Sequence, residues 1–340
     1  MLPVIDNHQT TTQEWVPRWL ESKIKLVEHA GYRVVGSNKH SAIKVCQWTK
    51  EMIKGQNVCY KCKFYGVASN RCLQMTPVMF WCSFNCKFCW RNLGYTLPPE
   101  GVKWDLPKEI MDASILAQRK LLEGYWGYEN ADKKMLRESM DPKHVAISLS
   151  GEPTMYPYLP ELIDDVLGRD MTAYLVTNGT YPEMIRKLIE HQPTNLYISL
   201  YGTNSEMYEN TADPIIENPF EKVKESLSLM KEFQCRTVIR LTLTKGLNFM
   251  DAKGYAKLIE KAQPKFLECK AFMAVGGARK RLEYEDMPLH QDIVKFAQEV
   301  ERNSCYKIVD EKVDSRVVLL ARNGEVDKGT NFHDPVWDEA

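Results

Sequence analysis

From Thr76 onward the chain alternates short apolar runs with longer stretches in which apolar positions recur at helical spacing. A short continuous apolar run reads as a strand buried on both faces, and a longer periodic stretch reads as an amphipathic helix. The pattern predicts strands over Pro77–Trp81, Val145–Leu149, Ala173–Val176, Leu196–Leu200, Thr237–Leu243 and Leu267–Ala274. It predicts helices over Pro107–Glu123, Leu159–Leu167, Tyr181–His191, Phe220–Phe233, Ala252–Ala262 and His290–Arg302. Strands followed by helices at this spacing imply parallel strands with crossover helices. Six such repeats suit a partial or closed α/β barrel better than a sandwich. A last pair, Cys305–Asp310 and Ser315–Leu320, reads as a closing hairpin.

Residues 1–73 read differently. A helical pattern over Trp15–His29 gives way to a cysteine-bearing, loop-like stretch from Cys46 to Cys72. The expected organisation is an N-terminal extension over 1–73, a barrel over 74–320 and a C-terminal tail over 321–340. Composition changes this picture little. A hydrophobic content of 44% is ordinary for a chain that buries a core. The 45 basic and 45 acidic residues cancel, which argues against nonspecific coating of nucleic acid but leaves room for a local basic face. No apolar run reaches bilayer length, and Met1 to Gln13 is polar, without the apolar core of a signal peptide. A cytoplasmic chain is therefore expected. Its ten cysteines then read as metal ligands or core thiols rather than disulfides.

The densest cysteines are Cys82, Cys86 and Cys89, a C-x3-C-x2-C run placed just after the first predicted strand. Three thiolates this close can hold three irons of a [4Fe–4S] cube and leave the fourth iron without a protein ligand. Structural zinc is the other reading, and Cys59-x2-Cys62 supplies a second C-x-x-C pair for it. Upstream, Cys46, Cys59 and Cys72 are separated by twelve residues each time. They are either three ligands of a second cluster, with or without Cys62, or buried structural cysteines. Cys235, Cys269 and Cys305 lie in or beside predicted strands and read as core thiols.

In a barrel, function gathers at the C-terminal ends of the strands. Gly151-Glu152-Pro153 follows the second predicted strand, Thr177-Asn178-Gly179 the third, Tyr201-Gly202 the fourth and Gly276-Gly277 the sixth. Glu152 is suited to accept a hydrogen bond from an ammonium, and also to a plain strand-to-helix turn. Asn178 suits either a ribose or a turn. Arg240, inside the fifth apolar strand, needs an anion: a Glu or Asp carboxylate, or the carboxylate of a ligand. Phe88 packs on a ligand ring, shields a cluster, or belongs to the core.

Taken together, C-x3-C-x-Phe-C, G-E-P, T-N-G and Lys245-Gly246-Leu247-Asn248 resemble the radical S-adenosylmethionine (SAM) superfamily. The evenly spaced upstream cysteines, Phe272 to Arg281, and Met287-Pro288-Leu289-His290 are similar to the archaeal-type tRNA 4-demethylwyosine synthases. The resemblance runs from about Gly31 to Leu320. It implies a partial (β/α)6 TIM-like radical SAM barrel with an N-terminal cluster-binding extension. It implies two [4Fe–4S] clusters and SAM. Cys82, Cys86 and Cys89 would hold the SAM cluster, and Cys46, Cys59 and Cys72 an auxiliary cluster that binds pyruvate. Gly151, Glu152, Pro153, Thr177, Asn178, Phe88, Ser199 and Arg240 would form the SAM site. The implied reaction joins pyruvate to N1-methylguanosine at position 37 of tRNA(Phe), with an external electron donor such as ferredoxin or flavodoxin and a monomeric enzyme. Pyruvate bound as a Schiff base on Lys61 competes with its coordination to iron, in which case Lys61 is a solvated lysine. Arg279, Lys280 and Arg281 would hold RNA phosphates, whereas Lys133-Lys134 with Arg137 reads as a solvated face. Trp90 and Tyr95 would stack on unpaired bases. The alternatives are a radical SAM enzyme acting on a peptide or small molecule, and a zinc-binding RNA-interaction module.

Overall fold

The computed structural model describes residues 18–91 and 94–326. Trp15, at the start of the predicted N-terminal helix, lies outside them. So does the C-terminal tail from residue 327 on.

One ten-stranded sheet organises the chain. Its centre is six parallel strands in sequence order: β3 (Cys72–Thr76), β4 (His144–Ile147), β5 (Thr172–Thr177), β6 (Asn195–Ser199), β7 (Arg236–Leu243) and β8 (Phe266–Ala271). Two short strands, β1 (Arg33–Val35) and β2 (Ser41–Ile43), extend one side through antiparallel pairing. The hairpin of β9 (Tyr306–Lys312) and β10 (Val317–Arg322) extends the other, with β10 antiparallel to β8. This is the partial barrel expected, with the predicted closing hairpin in place.

The crossover helices are α4 (Pro107–Leu122), α5 (Lys133–Ser139), α6 (Leu159–Gly168), α7 (Pro182–Lys187), α8 (Ser205–Ala212), α9 (Pro219–Ser228), α10 (Ala252–Ala262) and α11 (His290–Arg302). Before the barrel come α1 (Arg18–His29), α2 (Gln47–Ile53) and α3 (Tyr60–Tyr65). Among the described residues no helix is long and apolar enough to cross a membrane.

The first barrel strand is not where its hydrophobicity suggests. Val78, Met79, Phe80 and Trp81 are all fully buried, but as a loop. Pro77 has no N–H to give a ladder, and its carbonyl meets His40 Nδ1 at 2.6 Å. The amide of Met79 donates to the His40 carbonyl (2.8 Å). The strand is the preceding run, in which Leu73 and Met75 alternate with more polar neighbours and β4 pairs alongside. Cys72 therefore opens a central strand, and the expected 73/74 boundary falls inside it. Likewise, residues 321 and 322 belong to β10.

Strand periodicity sorts side chains to two faces. Outward residues such as Leu175, Ile198, Leu241 and Leu267 join the large core under the helices. Inward residues Tyr174, Tyr197, Val238 and Phe266 form a second core. Tyr60, Phe64 and Tyr65 of α3 pack into that inner core, so the N-terminal region fills the interior of the sheet.

His144, the first residue of β4, ties this filling in place. Its Nε2 accepts from the Ala68 amide (3.2 Å), and Nδ1 meets Thr172 Oγ1 (2.7 Å). Burial, helped by Arg71, pushes its pKa from 6.5 down to about 4. Near pH 5 the unfolded chain therefore binds more protons here than the folded one. The contribution to stability is complete above about pH 6.5 and is lost as pH falls toward 4. Thermal melts between pH 7 and 4 should show this decline, and His144→Gln should flatten it. An unchanged profile in the variant would remove His144 as the cause.

Candidate active site

Cys82, Cys86 and Cys89 lie on the loop that follows β3, and all three line one cleft at the C-terminal ends of the parallel strands. The cleft encloses roughly 680 Å³ counted out to its open mouth. Gly151, Glu152, Thr177, Asn178, Ser199 and Phe88 also line it. Pro153 stands just behind, opening a buried turn over Pro153–Met155.

Gly151 is what lets the cysteine loop and the turn after β4 close on each other. Its φ is +68°, and a Cβ there would run into the carbonyl oxygens of Val78 and Trp81. The next amide, Glu152 N, donates to Trp81 O at 2.9 Å, one residue before Cys82.

The buried Glu152 carboxylate then joins two strand ends. Oε1 accepts from Thr154 N (3.0 Å), Thr154 Oγ1 (2.6 Å) and Thr177 Oγ1 (2.6 Å), and Oε2 accepts from Asn178 N (2.7 Å). Burial pushes its pKa up, against these four hydrogen bonds. One lone-pair position on Oε2 remains for a ligand ammonium.

Asn178 is more committed than its sequence suggests. Its Nδ2 donates to Ser83 Oγ (2.8 Å) and lies 3.8 Å from Cys82 Sγ, while Oδ1 accepts from Thr180 N (3.1 Å) and Thr180 Oγ1 (2.7 Å). The amide thus orients the first cysteine, and a donor aimed at a cluster sulfur tunes its potential.

Phe88 packs edge-on against Tyr201, with ring centroids 5.0 Å apart. Tyr95, expected to stack on bases, is buried, and its hydroxyl meets Ser150 Oγ at 2.8 Å. Trp90 is 41% exposed at the mouth.

Sequence reasoning missed Arg91. It is buried in the cleft wall, and its Nε and Nη2 find no partner among the described residues. Its Nη1 donates to the Tyr32 hydroxyl and the guanidinium lies over the Trp90 and Tyr32 rings, so Nε and Nη2 are what the residue offers to an anion.

The thiols suit a metal cluster. Burial holds all three above the usual thiol range, and Cys86 is raised further by Cys89 and Cys82. Three thiols crowded in one cleft would become thiolates when iron takes the place of their protons. Among the described residues no three His, Cys, Asp or Glu side chains converge as the ligands of a single ion do. A four-iron cluster, which takes one thiolate per iron, does not need that convergence.

A second group occupies the inner face. Cys46 is the N-cap of α2, Cys59 the N-cap of α3, and Cys72 begins β3. Burial raises each thiol, Cys59 to about 11, and Cys59 and Cys72 are both raised further by Cys46. The three thiols therefore lie within electrostatic reach of one another. Lys61 lies among them with its ammonium over the rings of Tyr197 (4.8 Å) and Tyr174 (5.2 Å).

Arg240 belongs to this group and not to the cleft wall. Its anionic partner is Glu268, with Nε 2.8 Å from Oε2, and its Nη2 donates to Tyr60 OH (2.6 Å). The expectation that Arg240 takes the carboxylate of SAM gives way to this pair: inward position 240 of β7 faces inward position 268 of β8. The two groups share one interior, because Val176 lines the cleft and packs on the same inner core as Cys59.

Beyond β8, Gly277 N donates to Trp90 O (2.7 Å), and a Cβ on Gly276 would strike that same carbonyl. Arg281 donates to the carbonyls of Lys87 and Cys89, so this basic residue braces the cysteine loop. Arg279 and Lys280 remain exposed beside Trp90.

Residues 76–259 match the family model for the radical SAM superfamily, and residues 261–322 match that for wyosine base formation. The chain is 45% identical over 324 residues to the S-adenosyl-L-methionine-dependent tRNA 4-demethylwyosine synthase of Pyrococcus abyssi, covering 93% of both chains. The enzyme of the same name from Oryza sativa is 36% identical over 304 residues, which make up 87% of this chain and 45% of that one. A solved TYW1 structure with a lysine–pyruvate adduct bound superposes with a TM-score of 0.82 at 35% identity, covering 93% of this chain and 99% of the other. The cleft with its three thiols, the second triad behind it and these matches lead to one conclusion: the chain belongs to the radical SAM superfamily and, within it, to the tRNA 4-demethylwyosine synthases.

Proposed function

We propose that this enzyme condenses N1-methylguanosine at position 37 of tRNA(Phe) with pyruvate to form the tricyclic base 4-demethylwyosine. The observation that carries the reading is the placement of two cysteine triads on one barrel interior, with Lys61 beside the inner one. Family membership brings SAM and a [4Fe–4S] cluster, for which Cys82, Cys86 and Cys89 are the ligands. When bound, a cluster with one open iron chelates SAM and supplies the electron that splits it to a 5′-deoxyadenosyl radical.

The protein's own groups do the rest. Glu152 offers its remaining lone pair to the amino group of SAM, and Arg91 its unpartnered nitrogens to the carboxylate. Ser199 and Phe88 close the wall beside them. Cys46, Cys59 and Cys72 hold the auxiliary cluster.

Lys61 takes pyruvate as a Schiff base: its amine adds to the keto carbon and water leaves. Burial and the neighbouring Arg240 both lower its pKa, which favours the nucleophilic amine. The solved relative with a lysine–pyruvate adduct supports this choice. One hydrogen of the N1-methyl group goes to 5′-deoxyadenosine, and the methylene radical left behind bonds to the imine carbon. The bond from that carbon to the carboxylate then breaks. The one-carbon unit leaves as a CO2 radical anion, which gains an electron and a proton as formate or loses an electron as CO2. The exocyclic amine of the base displaces Lys61 as it closes the ring on the two remaining carbons.

Arg279 and Lys280, exposed beside Trp90, receive tRNA phosphates at the rim, and the target base leaves its stack to reach the cleft. A ferredoxin- or flavodoxin-type donor supplies the electron.

The test is incubation with methylated tRNA(Phe), pyruvate, SAM and a reductant, followed by mass spectrometry of nucleosides. Tricyclic base and 5′-deoxyadenosine should rise together. Iron and sulfide should each be about eight per chain, falling to about four in Cys46→Ala, Cys59→Ala or Cys72→Ala. Zinc without sulfide, or no tricyclic base from fully loaded enzyme, sinks the reading.

A further inference from the structure

The inner face carries an imbalance of charge. Strand period places Arg240 of β7 and Glu268 and Lys270 of β8 on this face, where Lys61 of α3 meets them. Arg240 and Lys270 accompany the one carboxylate of Glu268, and Lys61 becomes a third cation as the iminium formed with a keto acid. Against Glu268 and the single negative charge that a [4Fe–4S]2+ core with three thiolates would contribute, one positive charge is then left for the carboxylate of the acid.

Glu268 is fully occupied. It accepts from Arg240 Nε (2.8 Å), Tyr65 OH (2.8 Å) and Tyr60 OH (3.3 Å). Arg240 is consumed by Glu268 and Tyr60. Lys270 is different. Its ammonium donates to the Ser315 carbonyl and sits 5.4 Å from the Tyr60 ring, and no carboxylate pairs with it among the described residues. An ammonium set in a protein interior with only a carbonyl and a ring is costly unless an anion completes its shell.

Lys270 and Lys61 belong to one site: Arg240 shares the Tyr197 ring with Lys61 (4.6 and 4.8 Å) and the Tyr60 ring with Lys270 (5.8 and 5.4 Å). An α-keto acid places its carboxylate one bond from the keto carbon, so an amine that attacks that carbon needs a cation close by. With Arg240 engaged by Glu268 and Tyr60, Lys270, which donates to a carbonyl and pairs with no carboxylate among the described residues, is the cation left for that carboxylate.

We propose that Lys270 binds the carboxylate of the α-keto acid whose keto carbon reacts with Lys61. The assignment rests on the Schiff-base reading of Lys61. It makes Lys270 the residue that selects a charged keto acid over an ester or amide of the same shape, and it holds the bond to the departing carboxylate carbon in a fixed direction.

The test measures cyanoborohydride trapping and turnover with pyruvate and with methyl pyruvate, in the wild type, Lys270→Gln and Lys270→Arg. Loss of one charge-assisted hydrogen bond should raise the half-saturating pyruvate concentration about 10–100-fold in Lys270→Gln. The preference for pyruvate over its methyl ester should shrink by the same factor, and Lys270→Arg should recover part of it. Trapping at saturating pyruvate should persist, with the label on Lys61.

Unchanged half-saturation and preference in Lys270→Gln overturn the proposal, as does label on Lys270 itself. Should Lys270→Gln lose its iron, the wild type decides: equal use of acid and ester overturns the assignment. Product formation with no label on Lys61 in the wild type refutes the Schiff-base reading instead, and the acid-to-ester comparison still reports the carboxylate contact.

Discussion

Lys61→Ala is expected to retain its iron, its sulfide and its reductive cleavage of SAM, and to lose tricyclic product by on the order of 10³-fold or more. The separation follows from geometry. Lys61 lies over Tyr174 and Tyr197 on the inner face, away from the residues that line the cleft of Cys82, Cys86 and Cys89. Its backbone amide, which donates to Cys59 Sγ (3.5 Å), survives the substitution, so the N-cap of α3 stays intact. Lys61→Arg is the sharper control. It keeps the charge and the ring contacts but cannot form an imine, and it should be as inactive as Lys61→Ala. Product at the wild-type rate from Lys61→Arg would move pyruvate from the lysine to the iron.

The second large effect is expected from Gly151→Ala. The added methyl meets two carbonyl oxygens in a backbone held at φ +68°, so the turn after β4 must withdraw from the loop before Cys82. The hydrogen bond from Glu152 N to Trp81 O is the first to break. Left-handed backbone alone costs a non-glycine residue about 1–2 kcal/mol, and the clash adds to that. Iron bound at the cleft should fall to near zero while the auxiliary iron stays, alongside a lowered melting temperature. Wild-type iron content and an unshifted melt would show that the two loops need not touch.

Much of the barrel can be read from the sequence, because a parallel strand covered on both faces is a plain apolar run and a crossover helix has its own period. The helices over Ala252–Ala262 and His290–Arg302 fall where the pattern puts them. The first strand does not. Val78 to Trp81 is as apolar as any strand, and what holds Pro77 and its followers in a loop is a set of contacts distant in the chain, with His40 on Pro77, Ser150 on Met79 and Glu152 on Trp81.

The site shows the same division. The cysteine spacing and the turns at strand ends are local signals. Glu268 and Lys270 carry a weaker one, two charged residues at alternate positions of an apolar strand, which marks an inward-facing polar group once a barrel is assumed. That Arg240 answers to Glu268 follows only from the register of β7 on β8, and register is not written in either strand alone. Arg281 reads as one of three basic residues suited to RNA, because nothing in its neighbours reveals the carbonyls of the cysteine loop.

The short helix α3 fills the interior of the sheet with Tyr60, Phe64 and Tyr65, against Tyr174, Tyr197, Val238 and Phe266. The same helix begins at Cys59 and carries Lys61 on its first turn. Natural selection therefore cannot tinker with the substrate-handling end of this helix and its packing end separately. A substitution that repacks the aromatic plug rotates the lysine, and one that shifts the lysine disturbs the plug. Residues 59–65 should accordingly drift more slowly over evolutionary time than the exposed crossover helices, as one inherited block in which foldability and chemistry constrain each other.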